Sequence, residues 1–106
     1  MNSRVETILK DLRSRLDALY GDRLVRLVLY GSHARGDAGE ESDIDVLIVL
    51  KGPFDYWEEL RRTEEAMASV CLEYDVVVST VFLTPEEAEL SRHPLPANIR
   101  REGITV

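Results

Sequence analysis

"YGSHARGDAGEESDIDVLIVL", Tyr30 to Leu50, decides the fold. Its second half, Ile44 to Leu50, is an apolar run of strand length, closed by Gly52-Pro53. Asp43 and Asp45 stand where that run begins. They are two residues apart, so on an extended chain both side chains leave the same face. At about 4 Å and an effective dielectric near 20, two like charges repel by on the order of 4 kcal/mol. A strand that opens on such a pair needs something to offset it. The first half, Gly31 to Ser42, is rich in small and polar residues and reads as a loop or short helical turn.

Outward from this stretch, helices and strands alternate. Val5, Ile8, Leu9, Leu12, Leu16 and Leu19 recur at helical spacing, with Ser3 as N-cap and Gly21 as the stop. The segment 24–30, LVRLVLY, is a strand with Val25, Leu27 and Leu29 on one face. Asp55 and Glu58 form a capping pattern for a second long helix. It carries Tyr56, Leu60, Met67, Val70 and Cys71 and ends at about residue 71. Asp75 to Leu83, rich in β-branched residues, is a third strand. Thr84-Pro85-Glu86-Glu87 opens a short helix with N-cap, Pro at N1 and an acidic first turn. His93-Pro94-Leu95-Pro96 breaks the chain, and a helical turn near 97–102 ends at Gly103, before Ile104 to Val106.

This order is that of an α/β (α+β) protein with a mixed sheet of three or more strands and long helices packed on one face. Strands two and three flank a helix and should be parallel, with a right-handed crossover; strands one and two can be antiparallel. Asp43 and Asp45 enter strand two and Asp75 enters strand three, so the three carboxylates can share a sheet face. Ile44, Val46, Ile48, Val76, Val78 and Phe82 are left on the other face, against the helices. The Gly31-Ser32 turn leaves strand one at the same edge.

The chain has 106 residues, which suits a single domain over 1–106. A net charge of −7 argues against direct binding of nucleic acid, though not against a nucleotide held through metal ions. Cys71 is the only cysteine, so an internal disulfide is excluded; it reads as a small core residue of a protein in a reducing compartment. The N-terminus lacks the pattern of a signal peptide, and no apolar run is long enough for a bilayer. A soluble, cytoplasmic protein is expected, with no membrane partner.

Carboxylates that repel one another are tolerated when a cation sits between them. Hard oxygen ligands in a small cluster suit Mg²⁺ or Mn²⁺, which take their remaining ligands from water and substrate phosphates. Gly31-Ser32 supplies backbone N–H groups and a hydroxyl for phosphate oxygens. Arg35 has two readings: a bidentate phosphate contact, or a countercharge for Asp37 or Glu40 on a solvated loop. Gly31-Ser32 alone would be an ordinary turn, Asp75 the polar start of a strand, and His33 an exposed loop residue. Their joint occurrence matters more. Gly-Ser, ten residues, then Asp-x-Asp arises by chance in a chain this long roughly once in a thousand. The site is one for phosphoryl or nucleotidyl transfer.

At these residues the sequence resembles the DNA polymerase β-type nucleotidyltransferase superfamily, and within it the minimal nucleotidyltransferase branch. Tyr30-Gly31-Ser32-His33-Ala34-Arg35-Gly36-Asp37 and Ser42-Asp43-Ile44-Asp45 match that family's Gly-Ser-x10-Asp-x-Asp signature, and Asp75 matches its third acidic position. Asn98 to Ile104 also has the look of small members. The resemblance implies a nucleotidyltransferase fold and Mg²⁺-dependent (or Mn²⁺-dependent) transfer of AMP from ATP, with Gly31 and Ser32 holding the triphosphate. It gives Asp43 and Asp45 both metals, and Asp75 the catalytic metal and a part in deprotonating the acceptor. It further implies pairing with an all-helical HEPN-family protein, a toxin whose tyrosine is adenylylated by the nucleotidyltransferase acting as antitoxin. Homo- or hetero-oligomers are compatible with it. Two other readings stay open: a non-catalytic module that neutralises a helical partner by contact, and transfer to a small molecule.

Overall fold

The computed structural model describes residues 2–39, 42–89 and 99–106. The first helix, α1 (Ser3–Tyr20), starts one residue earlier than expected, with Asn2 rather than Ser3 as the N-cap that accepts from the Arg4 N–H, and it ends at Gly21 in the left-handed region. Its buried stripe is Val5, Ile8, Leu9, Leu12, Leu16 and Tyr20. Leu19, expected inside, is 44% exposed, because the 3.6-residue repeat from Leu16 lands on Tyr20.

A short 3₁₀ turn leads into β1 (Leu24–Tyr30), which is followed by the four-residue helix α2 (Ser32–Arg35) and by β2 (Ile44–Leu50). β1 and β2 pair antiparallel, with a register shift between Leu24 and Arg26. That bulge moves Val25 out to 37% exposure and puts Leu24, with Leu27 and Leu29, in the core. The strand's inward face is therefore shifted by a residue at its start.

The second long helix, α3 (Tyr56–Tyr74), is capped by the Asp55 carboxylate, which accepts from the Trp57 and Glu58 N–H groups. It runs three residues beyond the expected end. β3 (Val78–Leu83) returns parallel to β2, Ile44 beside Val78 and Asp45 beside Ser79. Asp75 does not enter this strand: it is the C-cap of α3, at φ 53° and ψ 54°. Helix α4 (Pro85–Glu89) opens with a reciprocal capping box: Thr84 N–H donates to Glu87 Oε1, and Glu87 N–H to Thr84 Oγ1. The break at 93–96 lies outside the described residues, as does the start of the turn near 97–102; residues 99–102 are helical. β4 (Ile104–Thr105) adds antiparallel to β1 and completes a sheet of order β3-β2-β1-β4.

The sheet has two unequal faces. Ile44, Val46, Ile48, Leu27, Leu29 and Phe82 pack against α1 and α3, as expected from the alternation. Val28, Leu47 and Val49 form a smaller cluster with Ala88 and Ile99, flanked by Tyr30, Val81 and Leu83. Two buried polar groups interrupt the apolar stripe of α3. Glu59 accepts from Tyr20 Oη (2.8 Å) and Arg62 Nε (3.0 Å), and Thr63 Oγ1 donates to the Glu59 carbonyl. Burial, then the bond to Glu59, pushes the Tyr20 phenol up. Among the described residues no helix is long and apolar enough to cross a membrane.

Candidate active site

The smaller face ends in a polar row. Tyr30 lies opposite Asp45 across the antiparallel ladder, and Ser79 beside Asp45 across the parallel one. Residues paired in this way present side chains on one face. The next row inward, Val28, Leu47 and Val81, is already apolar. Asp45 therefore sits where the apolar cover of the sheet stops and is half-buried, while Asp43, two residues before it, is exposed.

Gly31 closes on that row. Its backbone, φ 76° and ψ −155°, lies in a region open to glycine and closed to other residues. A Cβ there would lie 3.3 Å from Asp45 Cγ and closer still to Oδ2. The turn thus abuts the carboxylate directly. Ser32 begins α2, whose first turn is closed by the Ala34 and Arg35 N–H groups donating to the Gly31 carbonyl. His33, expected to be an exposed loop residue, is half-buried and ties the loop's ends: its Nε2–H donates to the Ser42 carbonyl at 3.0 Å. The hydrogen bond fixes the tautomer, since a carbonyl can only accept. Sequence reading missed this role, because a single His with no second ligand nearby gives no signal of it.

Arg35 points to carboxylates. Its Nε is 3.2 Å from Asp37 Oδ2 and one terminal nitrogen is 3.3 Å from Glu102 Oε2. The contact with Asp37 was one of the two expected readings; the clasp on the 99–102 turn was not foreseen. Asp75 borders a groove with Arg4, His33, Ser42 and Val77, the last two next to Asp43 in sequence and in the β2–β3 register. Among the described residues no cluster of three His, Cys, Asp or Glu side chains is placed to hold a metal. Asp43 and Asp45 open β2 with Gly31 against Asp45, while Asp75 stands at the end of α3 rather than inside β3. The cause is the left-handed cap, which ends α3 at Asp75 and delays the strand to Val78.

Neither Asp43 nor Asp45 accepts a hydrogen bond or forms an ion pair among the described residues. Other partly or fully buried carboxylates here do. Asp11 accepts from Tyr74 Oη and Arg15 Nε, and Glu59 from Tyr20 and Arg62. Loss of water, then the charge of Asp43, pushes the Asp45 carboxyl up, with His33 and Arg35 opposing. Burial, then Asp45, pushes the Tyr30 phenol up. A half-buried carboxylate with a like neighbour and no donor is costly unless a cation arrives. The donor set fits Mg²⁺ or Mn²⁺, which are held by one or two carboxylates plus phosphate and water oxygens.

Fold and site together define a nucleotidyltransferase. The chain belongs to the nucleotidyltransferase domain family, whose sequence model matches residues 5–104. Two candidate protein adenylyltransferases of Methanocaldococcus jannaschii are similar to it. One is 35% identical over 75 residues, 71% of this chain and 75% of that protein. The other is 37% identical over 81 residues, 76% and 75% of the two. Solved structures share the fold at lower identity. A mutant MntA–HpeT toxin–antitoxin structure matches with a TM-score of 0.60 at 21% identity, covering 100% of this chain and 72% of that one. A Sulfolobus solfataricus nucleotidyltransferase matches with a TM-score of 0.61 at 20% identity, covering 99% and 86%. A toxin–antitoxin structure with AMP-PNP matches at 0.60 and 17%, covering 97% and 69%. The protein is a nucleotidyltransferase, and its substrate is a nucleotide.

Proposed function

We propose that this nucleotidyltransferase moves AMP from ATP to a protein hydroxyl, a tyrosine on a helical HEPN-family partner, and thereby acts as the antitoxin of that partner. The observation that carries the reading is the half-buried, unpartnered Asp45 carboxylate beside Asp43 and against Gly31. The relatives in Methanocaldococcus jannaschii, named as candidate protein adenylyltransferases, support a protein acceptor. The toxin–antitoxin structures that share the fold support the kind of partner.

In the reaction the acceptor oxygen bonds to the α-phosphorus, the bond to the bridging oxygen breaks, and pyrophosphate leaves. Mg²⁺ or Mn²⁺, when bound, neutralises the phosphates and stabilises the in-line displacement. Asp43 and Asp45 would hold it. Gly31 lets the backbone approach, and Ser32 offers a hydroxyl and N–H at the start of α2 to phosphate oxygens. Arg35 can exchange Asp37 and Glu102 for a phosphate, since exposed pairs of this kind are worth only about 0–1 kcal/mol. The net charge of −7 favours a partner with a basic patch.

The test is incubation of the purified chain with the helical product of its neighbouring gene and ATP–Mg²⁺, followed by peptide mapping. An AMP-sized mass gain on a partner tyrosine is expected. A partner that stays unmodified, yet is suppressed equally by an Asp43→Asn chain, would be neutralised by contact alone and the proposal would fail.

A further inference from the structure

Asp43 is the exposed member of the carboxylate pair, and its side chain has no partner among the described residues. Where its carboxylate stands therefore depends on how its backbone is held. The β1–β2 ladder reaches Asp45, opposite Tyr30, and Asp43 lies beyond its end. A peptide unit is planar, so the direction of a Cα–Cβ bond follows once the peptides on either side are fixed. Both peptides that flank Asp43 are held. On one side the Ile44 N–H donates to the Val77 carbonyl at 2.9 Å. On the other, the Ser42 carbonyl accepts from His33 Nε2–H at 3.0 Å. The remaining bonds of Ser42 stay local: its N–H donates to the Gly39 carbonyl and its Oγ accepts from the Gly39 N–H. The half-buried imidazole is thus what grips the peptide leading into Asp43, and it does so from α2, whose first turn is itself closed on Gly31.

We propose that His33 is a positioning residue for nucleotidyl transfer, holding the Ser42–Asp43 peptide so that the Asp43 carboxylate meets the metal shared with Asp45. This rests on the nucleotidyl-transfer reading above. The imidazole acts through Asp43 and touches neither metal nor nucleotide. Groups that hold a metal ligand in place in this way are worth about 10–100-fold in metal affinity. What the place requires is an N–H donor of the right reach, not a charge, since the neutral ring already carries the proton at Nε2. A glutamine amide supplies that donor at similar reach, whereas a phenylalanine keeps the ring and drops the donor.

Mn²⁺ is the probe. It is titrated into the purified chain with a non-hydrolysable ATP analogue, at a temperature where every variant is folded, and free Mn²⁺ is counted by its electron paramagnetic resonance signal. His33→Phe should bind Mn²⁺–nucleotide roughly tenfold more weakly. His33→Gln should stay within about twofold of the wild type, because the donor returns. Asp43→Asn should lose more than His33→Phe does. In the Asp43→Asn background the group that His33 aims is gone, so adding His33→Phe should cost less than about twofold. An equal loss in both backgrounds overturns the proposal, since His33 would then act on the whole fold and not through Asp43. So does a His33→Phe chain that binds like the wild type, or a His33→Gln chain as weak as His33→Phe. If Asp43→Asn itself binds Mn²⁺–nucleotide like the wild type, the nucleotidyl-transfer site has been misplaced and the underlying reading fails with it.

Discussion

Gly31→Ala tests whether the turn and the carboxylate pair meet as described. Two separable costs are expected. The backbone at φ 76°, ψ −155° is available essentially only to glycine, and holding a residue with a Cβ there costs about 1–3 kcal/mol. The new methyl group would also displace the Asp45 carboxylate, whose Cγ it approaches to 3.3 Å. Pushing a side chain off its rotamer adds about 0.5–1.5 kcal/mol. The sum, about 1.5–4.5 kcal/mol, corresponds to a fall in melting temperature on the order of 10 °C or more for a domain of this size.

The two costs come apart in a double-mutant cycle. Asp45→Ala removes Cγ and Oδ2 and leaves Asp45 Cβ, at 3.4 Å from the added methyl, an ordinary contact. In that background Gly31→Ala should keep the backbone cost and lose the steric one, giving a coupling of about 0.5–1.5 kcal/mol. Urea unfolding of the four chains measures it. An identical cost in both backgrounds would show that Gly31 does not face Asp45. A total below about 0.5 kcal/mol would show that the turn is not held in the glycine-only region.

Asp43→Asn and Asp45→Asn should abolish transfer while leaving the apo melting temperature unchanged or slightly raised, because each relieves a repulsion that no described donor offsets; a large fall for both would make the pair structural. Tyr20→Phe should cost about 1–2 kcal/mol in urea unfolding, since Glu59, 2% exposed, loses its phenol donor but keeps Arg62. The Asp11 carboxyl is held below its usual value of 3.8 by the Tyr74 hydrogen bond and then by Arg15. Its contribution is present above that value and lost as pH falls through the lower, folded one. Asp11→Asn should therefore flatten the loss of stability below about pH 4 in urea midpoints taken across the acid range.

Much of this fold is written in short-range patterns. The 3.6-residue stripe of α1, the Asp55 cap, the Thr84-Pro85 helix start and the Gly21 stop are each local, and each is realised. Parallel pairing of β2 with β3 also follows from local facts, because a helical connection leaves little else. What failed was phase. Val25 reads as a core residue from alternation alone, but a one-residue bulge moves it outward, and a bulge depends on the partner strand. Leu19 also falls out of phase: the helical repeat from Leu16 lands on Tyr20, which is covered while Leu19 is left outside.

The site divides along the same line. Gly31, Ser32, Asp43 and Asp45 lie within fifteen residues, so one loop and one strand start suffice to bring them together. A third residue must come from β3, and which one faces Asp45 depends on where the intervening helix ends. In the sequence, Tyr74-Asp75-Val76-Val77 looks like the first residues of a β-branched strand. In the structure α3 holds on through Tyr74, whose hydroxyl is taken by Asp11 of α1, and whose carbonyl accepts from Arg4. Those two contacts anchor the helix's last turn to a different helix, and sequence periodicity carries no trace of them. Asp75 then turns the chain, and the register sets Ser79 beside Asp45. A residue's identity was readable, but its address across a crossover is set by tertiary packing of the helix that precedes it.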